Sequence, residues 1–422
     1  MRPKVQKSKA APKGPRVVGA GSGPTRVTLV RGKSKPFWVG HPWVFSGAIQ
    51  EVQGGEPGPC VVLDERGNEL AWGHYNPYGP IAVRLLWHRR TTDLPFAPPT
   101  FVDLLRERVR SAAALRRALD FPRADTDAFR LVNAEGDGLS GLVVDRLGEV
   151  LSVQLNSKAM YEARDLVAKV LTVETGLSRV VLAVTETASK LEGIPVGVER
   201  HGPEGGASRI DIVEAGLRYT IDLDTIQKTG FYADQRENRQ RFAALSHGKT
   251  MLDAYCHLGG FGLAAARAGA TSVTQVDSSE PAVLGARVAA RANGLGDRVE
   301  ALVEDAVVYM KEAHAVGRTW ERIVVDPPKL AQGRGHLEDA LQKYARINTL
   351  AMASLAPGGL LLTCSCSRHV APEEFGRMLT DAGHRLRRGV RVLEQWGQPA
   401  DHPTLSVAPE GRYLKAWLVA LD

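Results

Sequence analysis

From about residue 226 to the end, short apolar runs alternate with stretches whose apolar positions recur every three or four residues. "TMLDAYC", "SVTQVD", "VEALVED", "RIVVDPP" and "LLLTCSCS" read as strands; "FGLAAARAG", "AVLGARVAARANG" and "AVVYMKEAHAV" read as helices between them. That rhythm predicts an α/β, doubly wound, Rossmann-like domain over 226–422. The front half has a different period. In "TRVTLVRG", "CVVLD", "ELAWGHY" and "IAVRLLW" the segments are short and β-like, with turns at "GGEPGPC", "ERGN" and "NPYG", which predicts a small β-barrel over 25–95. Proline-rich "DLPFAPPT" marks a boundary. Beyond it come a helix from Phe101, a strand hairpin in "AFRLVNAEGDGLSGLVVDRLGEVLSVQL", a helix around 160–175 and a second hairpin in "IDIVEAGLRYTIDL". This is read as a mixed α/β middle domain over 96–225.

Charge changes the picture at one end only. The first 50 residues carry ten basic side chains and no acidic one, leaving 44 basic against 47 acidic residues in the remainder. The net +7 is therefore an N-terminal feature, as expected of a nucleic-acid-binding end. Residues 1–24, rich in Lys, Pro, Gly and Ala, are expected to be a disordered basic tail. No apolar run is long enough for a membrane span and no secretory signal is evident, so a soluble, cytoplasmic protein is expected. With four cysteines and no CxxC, neither a metal site nor disulfides are expected.

Open α/β sheets bind ligands at the carboxyl ends of their strands. The first predicted strand runs into "LDAYCHLGGFG", where Gly259, Gly260 and Gly262 permit close backbone approach at a helix start. Asp277 ends the second strand and is placed to accept a ribose diol; Asp305, after the third, could meet an adenine amine. With neither a Walker motif nor GxGxxG, S-adenosylmethionine is a better fit than a dinucleotide. Each aspartate also has a plainer reading as a helix cap. Cys364 and Cys366 close the last strand of the alternation, as core filler or as a nucleophile.

"KTGFYADQRENR", "DAYCHLGGFG", "VDSS", "VVDPPK", "GGLLLTCSCS" and "PADHPTLSVAPEGRYLKAW" closely resemble the bacterial large-subunit ribosomal RNA cytosine-5 methyltransferases. "VRGKSKPFWVGHPWVFSGAI" and "ELAWGHYNP" resemble that family's PUA domain, an RNA-binding barrel. The resemblance spans about 26–422. It implies S-adenosylmethionine as donor, and as substrate 23S rRNA or a large-subunit assembly intermediate; a homodimer is one expectation for the oligomer. By motif, Cys366 is the implied nucleophile and Cys364 filler. Asp253, Tyr255, Gly259, Gly260, Phe261, Asp277, Ser278, Asp305 and Asp326, with Phe231 and Gln235 of "GFYADQ", are the implied cofactor set. Arg31, Lys33 and Lys35 are expected to meet RNA.

The chemistry explains the residue types. Carbon 5 of cytosine is too poor a nucleophile to take a sulfonium methyl unaided, and a thiolate added at carbon 6 makes it enamine-like. Cys366 then needs a cationic setting, with Arg368, His369 and Lys329 as candidates. Asp326 is expected to hold the cytosine N3/N4 edge, and Lys329 to meet phosphate or favour the thiolate. Two alternatives compete: an amino-group RNA methyltransferase, against which the missing aromatic after "DPP" counts, and a non-catalytic RNA-binding assembly factor.

Overall fold

Alternation in Thr25–Leu29 buries Val27 and Leu29 and leaves Arg26 and Thr28 at the surface, the pattern of a strand covered on one face. It belongs to a seven-stranded sheet, ordered Arg16–Val18, Ile49–Gln53, Thr25–Leu29, Gly58–Leu63, Glu69–Tyr75, Ile81–His88, Trp43–Phe45. The sheet curls where Gly73 meets the next strand: a Cβ there would fall 2.4 Å from the Arg84 carbonyl oxygen, and the register shifts at that point. The computed structural model describes residues 16–18, 24–79, 81–89, 99–203, 208–224, 230–331 and 333–422. Most of the basic tail and most of "DLPFAPPT" fall outside these. Residues 16–18, expected in the tail, form a strand parallel to Ile49–Gln53.

The middle domain places the helix Phe101–Ala118 on a five-stranded sheet. Thr100 caps the helix, accepting the Asp103 N–H at 3.2 Å, and Leu104, Leu105, Val109 and Ala112 form its buried stripe. The segment expected as one hairpin is a three-strand meander, Ala128–Asn133, Leu142–Leu147 and Val150–Leu155. The turn at 148–149 adds a strand that the apolar run concealed. Trp43 and Glu192 dock the barrel on this domain. The Trp43 indole donates to Glu135 at 2.9 Å, while buried Glu192 receives Arg84 at 2.7 Å and the Asn76 amide at 2.8 Å. "TETASKLEG" thus supplies a clamp between the two units.

The C-terminal sheet runs Val299–Val303, Ser272–Asp277, Thr250–Ala254, Trp320–Val325, Leu355–Ser365, Lys415–Leu421, Val390–Trp396. In its own numbering the order is 3-2-1-4-5-7-6; the first five pair in parallel and Lys415–Leu421 runs antiparallel to both its neighbours. The order reverses between Thr250–Ala254 and Trp320–Val325, the point where such sheets open a ligand crevice. The hairpin Arg209–Glu214/Leu217–Asp222, expected in the middle domain, packs against both units: Ile212, Tyr219 and Ile221 share a core with Phe242, Leu263 and Val273, while the Val213 N–H donates to Asp127 and the Ala215 N–H to Thr126. Asn293 clasps it through both backbone groups of Arg218. Among the described residues no helix is long and apolar enough to cross a membrane.

Candidate active site

Beyond Ala254 the chain turns sharply, with Tyr255, His257 and Gly259 all in the left-handed region (φ 65°, 50° and 78°). For residues with a Cβ this costs about 1 kcal/mol or more each, so the loop must be held from outside. Asp277 holds it: Oδ2 accepts the His257 N–H at 2.9 Å and Oδ1 the Ser279 N–H at 2.9 Å. Asp253 lies beneath, 1% exposed, with Oδ2 accepting the Gly262 N–H at 2.8 Å. Burial, reinforced by Asp326 and opposed by that N–H, pushes its carboxyl up to about 7. Tyr255 sits in the field of Asp305 and Asp277, and burial first and these charges second push its hydroxyl pKa upward.

Several residues expected at the cofactor also make contacts within the protein. A Cβ on Gly259 or Gly262 would come within 2.5 or 2.4 Å of the Gln275 amide nitrogen, and one on Gly260 within 2.5 Å of Arg239 Nε. The glycines thus give room to side chains packed beneath the loop. Phe231 and Phe261, expected at the cofactor, are core residues, 4% and 6% exposed. Arg239 lies over both rings, and Phe231 also packs on Tyr219. Asp305 is the N-cap of Ala306–Ala315, its Oδ1 accepting from Val307 and Val308. Here the plainer reading describes the observed bonding. Ser278 is exposed beside Asp277, and Arg31, Lys33 and Lys35 are exposed on the barrel.

Strands Trp320–Val325 and Leu355–Ser365 are parallel neighbours with Val325 opposite Thr363, so by register Asp326 comes level with Cys364 and Cys366 follows two residues beyond, past the strand end. Asp326 Oδ2 accepts from the Gln235 amide at 2.9 Å, and Asn238 fixes the other end of that amide at 2.7 Å. Gln235 is 3% exposed and touches Cys364, so it holds the carboxylate from the protein interior. Cys364 is fully buried on the same sheet face as Leu362, and burial pushes its thiol well up. Cys366 lies just past the strand end and keeps part of its surface. The turn around it is pinned by Tyr344, whose hydroxyl meets Ser365 Oγ at 3.0 Å and Ser367 Oγ at 3.1 Å; Ala331 N–H adds a bond to Ser367 Oγ at 3.2 Å. Lys329, Arg368 and His369 are exposed.

A buried ionic network behind the site carries no local sequence signal. Asp401 takes Arg236 at 2.8 and 3.1 Å, the Arg130 N–H at 2.9 Å and His402 Nδ1 at 3.1 Å. Arg116, 1% exposed, binds Asp137 at 2.6 and 2.8 Å and reaches the Asp401 carbonyl at 2.7 Å. This ties the middle domain to "GFYADQR" and to "PADHP". Tyr413 continues the network by donating to Asp234 at 2.7 Å.

Residues 203–419 match the family model described as S-adenosylmethionine-dependent methyltransferase, and residues 27–87 match a PUA-like domain model. "Ribosomal RNA large subunit methyltransferase I" of Photobacterium profundum is 36% identical over 397 residues, covering 93% of this chain and 98% of its own. The protein of that name from Erwinia tasmaniensis is 32% identical over 408 residues, with the same coverage. A structure described as a SAM-dependent methyltransferase from Streptococcus mutans shares the fold, with a TM-score of 0.79 at 17% identity over 93% of this chain and 99% of its own. A methyltransferase complexed with SAH superposes equally well.

Proposed function

Because the chain belongs to the ribosomal RNA large subunit methyltransferase I family of S-adenosylmethionine-dependent enzymes, we propose that it methylates carbon 5 of a cytosine in 23S rRNA through a covalent adduct of Cys366. The observation that carries this is the pairing of two adjacent strand ends. One presents a partly exposed thiol and the other a carboxylate held by Gln235. When bound, S-adenosylmethionine supplies an electrophilic methyl group. The donor set suits it: both Asp277 oxygens are fixed by backbone N–H groups and each keeps a lone pair for a ribose hydroxyl.

The chain's own residues have separate tasks. The Cys366 thiolate adds to carbon 6, and the electron pair of the former double bond makes carbon 5 nucleophilic. Once carbon 5 is alkylated its proton leaves and the thiolate is expelled, restoring the ring. Asp326 orients the base through its N3/N4 edge, and Gln235 keeps that carboxylate from swinging away. The base must reach this crevice from a splayed or extruded nucleotide. Arg31, Lys33 and Lys35, exposed on the barrel, are placed to meet phosphates, which position RNA without reading its sequence.

RNA carrying 5-fluorocytidine at the target tests the adduct directly, because fluorine does not leave as a proton does. Wild type is expected to form a denaturation-stable enzyme–RNA species that Cys366→Ala does not. An active enzyme that forms none, with methyl found on an exocyclic nitrogen of the product nucleoside, would replace this reading with amino-group transfer.

Asp277→Ala is expected to weaken S-adenosylmethionine binding by roughly 2–4 kcal/mol, or one to three decades, while RNA affinity holds. Calorimetry on both ligands checks this. Unchanged cofactor affinity would move the ribose site elsewhere.

A further inference from the structure

Lys415 opens the antiparallel strand Lys415–Leu421 and faces Ser365 across the ladder. It is 6% exposed, and its Nζ donates to the carbonyls of Ser367 and Tyr413, both at 2.9 Å. Among the described residues no carboxylate pairs with it. Lysine is almost never buried this fully without a counter-ion. Two carbonyls orient an ammonium group but do not neutralise it, and they use two of its three donors. Cys366 is the residue between Ser365, which faces Lys415 in the ladder, and Ser367, which binds its nitrogen. The cation is thus bonded to the backbone one residue past the thiol, on a strand whose ladder partner lies one residue before it.

We propose that Lys415 is the positioning residue that holds Cys366 as a thiolate and fixes the turn carrying it. This deepens the proposed function and rests on Cys366 as the attacking group. Of the cations near the thiol turn, Lys415 is the buried one. Tyr344, from the helix Leu337–Ala353, contributes a neutral hydroxyl, since burial pushes its pKa up. The carbonyl of Tyr413 binds Lys415, while its side chain is turned to Asp234. Asp326 is a negative group at the neighbouring strand end, held by Gln235. Lys329, Arg368 and His369 are exposed, where solvent and salt weaken their field. Burial pushes the Lys415 ammonium down to about 8, and the charge of Cys366 draws it back up. That interaction is mutual, so the ammonium lowers the thiol in turn.

The experiment is the pH dependence of Cys366 alkylation by iodoacetamide, read by peptide mass spectrometry on the full chain without RNA or cofactor. Wild type is expected to show a midpoint below the ordinary thiol value of about 8.5. Lys415→Met keeps the length and removes the charge. It is expected to raise the midpoint by about one unit or more, which makes alkylation at pH 7 roughly tenfold slower. Lys415→Arg should stay near wild type. A wild-type midpoint at or above 8.5 overturns the proposal even if the methionine variant does not fold. So does an unmoved midpoint in a folded Lys415→Met. Loss of the fluorocytidine adduct in wild type would remove the Cys366 reading itself, whereas adduct formation with an unmoved midpoint removes only the role of Lys415.

Discussion

Cys366→Ala is expected to lower methyl transfer by about four decades or more while S-adenosylmethionine binding stays at its wild-type value. Cys364→Ala is expected to keep most of the activity. The two thiols are two residues apart, but their settings differ. Cys364 lies inside the sheet with no accessible surface, its thiol pushed well up by burial. A group so placed neither ionises readily nor reaches a base. Cys366 is past the last ladder residue, where the chain leaves the sheet beside Asp326. Removing the Cys364 sulfur leaves a small cavity and one lost contact to Gln235, a cost on the order of 1 kcal/mol in stability. Single-turnover transfer to rRNA, with calorimetry on the cofactor, separates the outcomes. If Cys364→Ala alone removes turnover with cofactor binding intact, the assignment is reversed.

The second large effect is on stability. Asp401→Ala is expected to cost about 3–5 kcal/mol, because it strands a buried guanidinium. Arg236 and Asp401 are 4% and 0% exposed, and the same carboxylate also satisfies the Arg130 N–H and His402. Burial alone would raise this carboxyl; His402 and Arg236 outweigh it and hold Asp401 well below the usual carboxylate range. The sign follows from that depression. The contribution is fully present above the ordinary aspartate value near 4 and is lost as pH falls toward the depressed folded value. Wild type is therefore expected to lose stability below about pH 4 more steeply than Asp401→Ala, which has already forfeited this contribution. Urea melts at neutral and acid pH measure both. A neutral-pH loss under about 1 kcal/mol, the range of a surface pair, would show that the network is not clamping the domains.

What was legible in the sequence follows from local physics. Helical and strand periods report which face of an element is covered, and the alternation from Thr250 onward is dense enough to imply a parallel sheet without any long-range information. Once that sheet is inferred, its strand ends are known, so Asp277, Asp326 and the cysteine pair stand out as candidates. By resemblance to the family's motifs, Cys366 is the expected nucleophile of the pair. Other decisions belong to tertiary contacts. Cys364 and Cys366 share one parity of a period-two strand, and only the point at which the ladder stops separates a core thiol from an accessible one. The glycines of "HLGGFG" suggest room for a ligand, and the sequence does not show that Gln275 and Arg239 also press on them, brought there by a neighbouring strand and helix. Phe231 and Phe261 carry the same aromatic signal whether they line a pocket or fill a core. Asp401 meets Arg130 and Arg116 across 271 and 285 residues of chain, and Lys415 meets the thiol turn across 48. Charges so far apart leave no periodic trace, because their pairing is set by how whole elements stack.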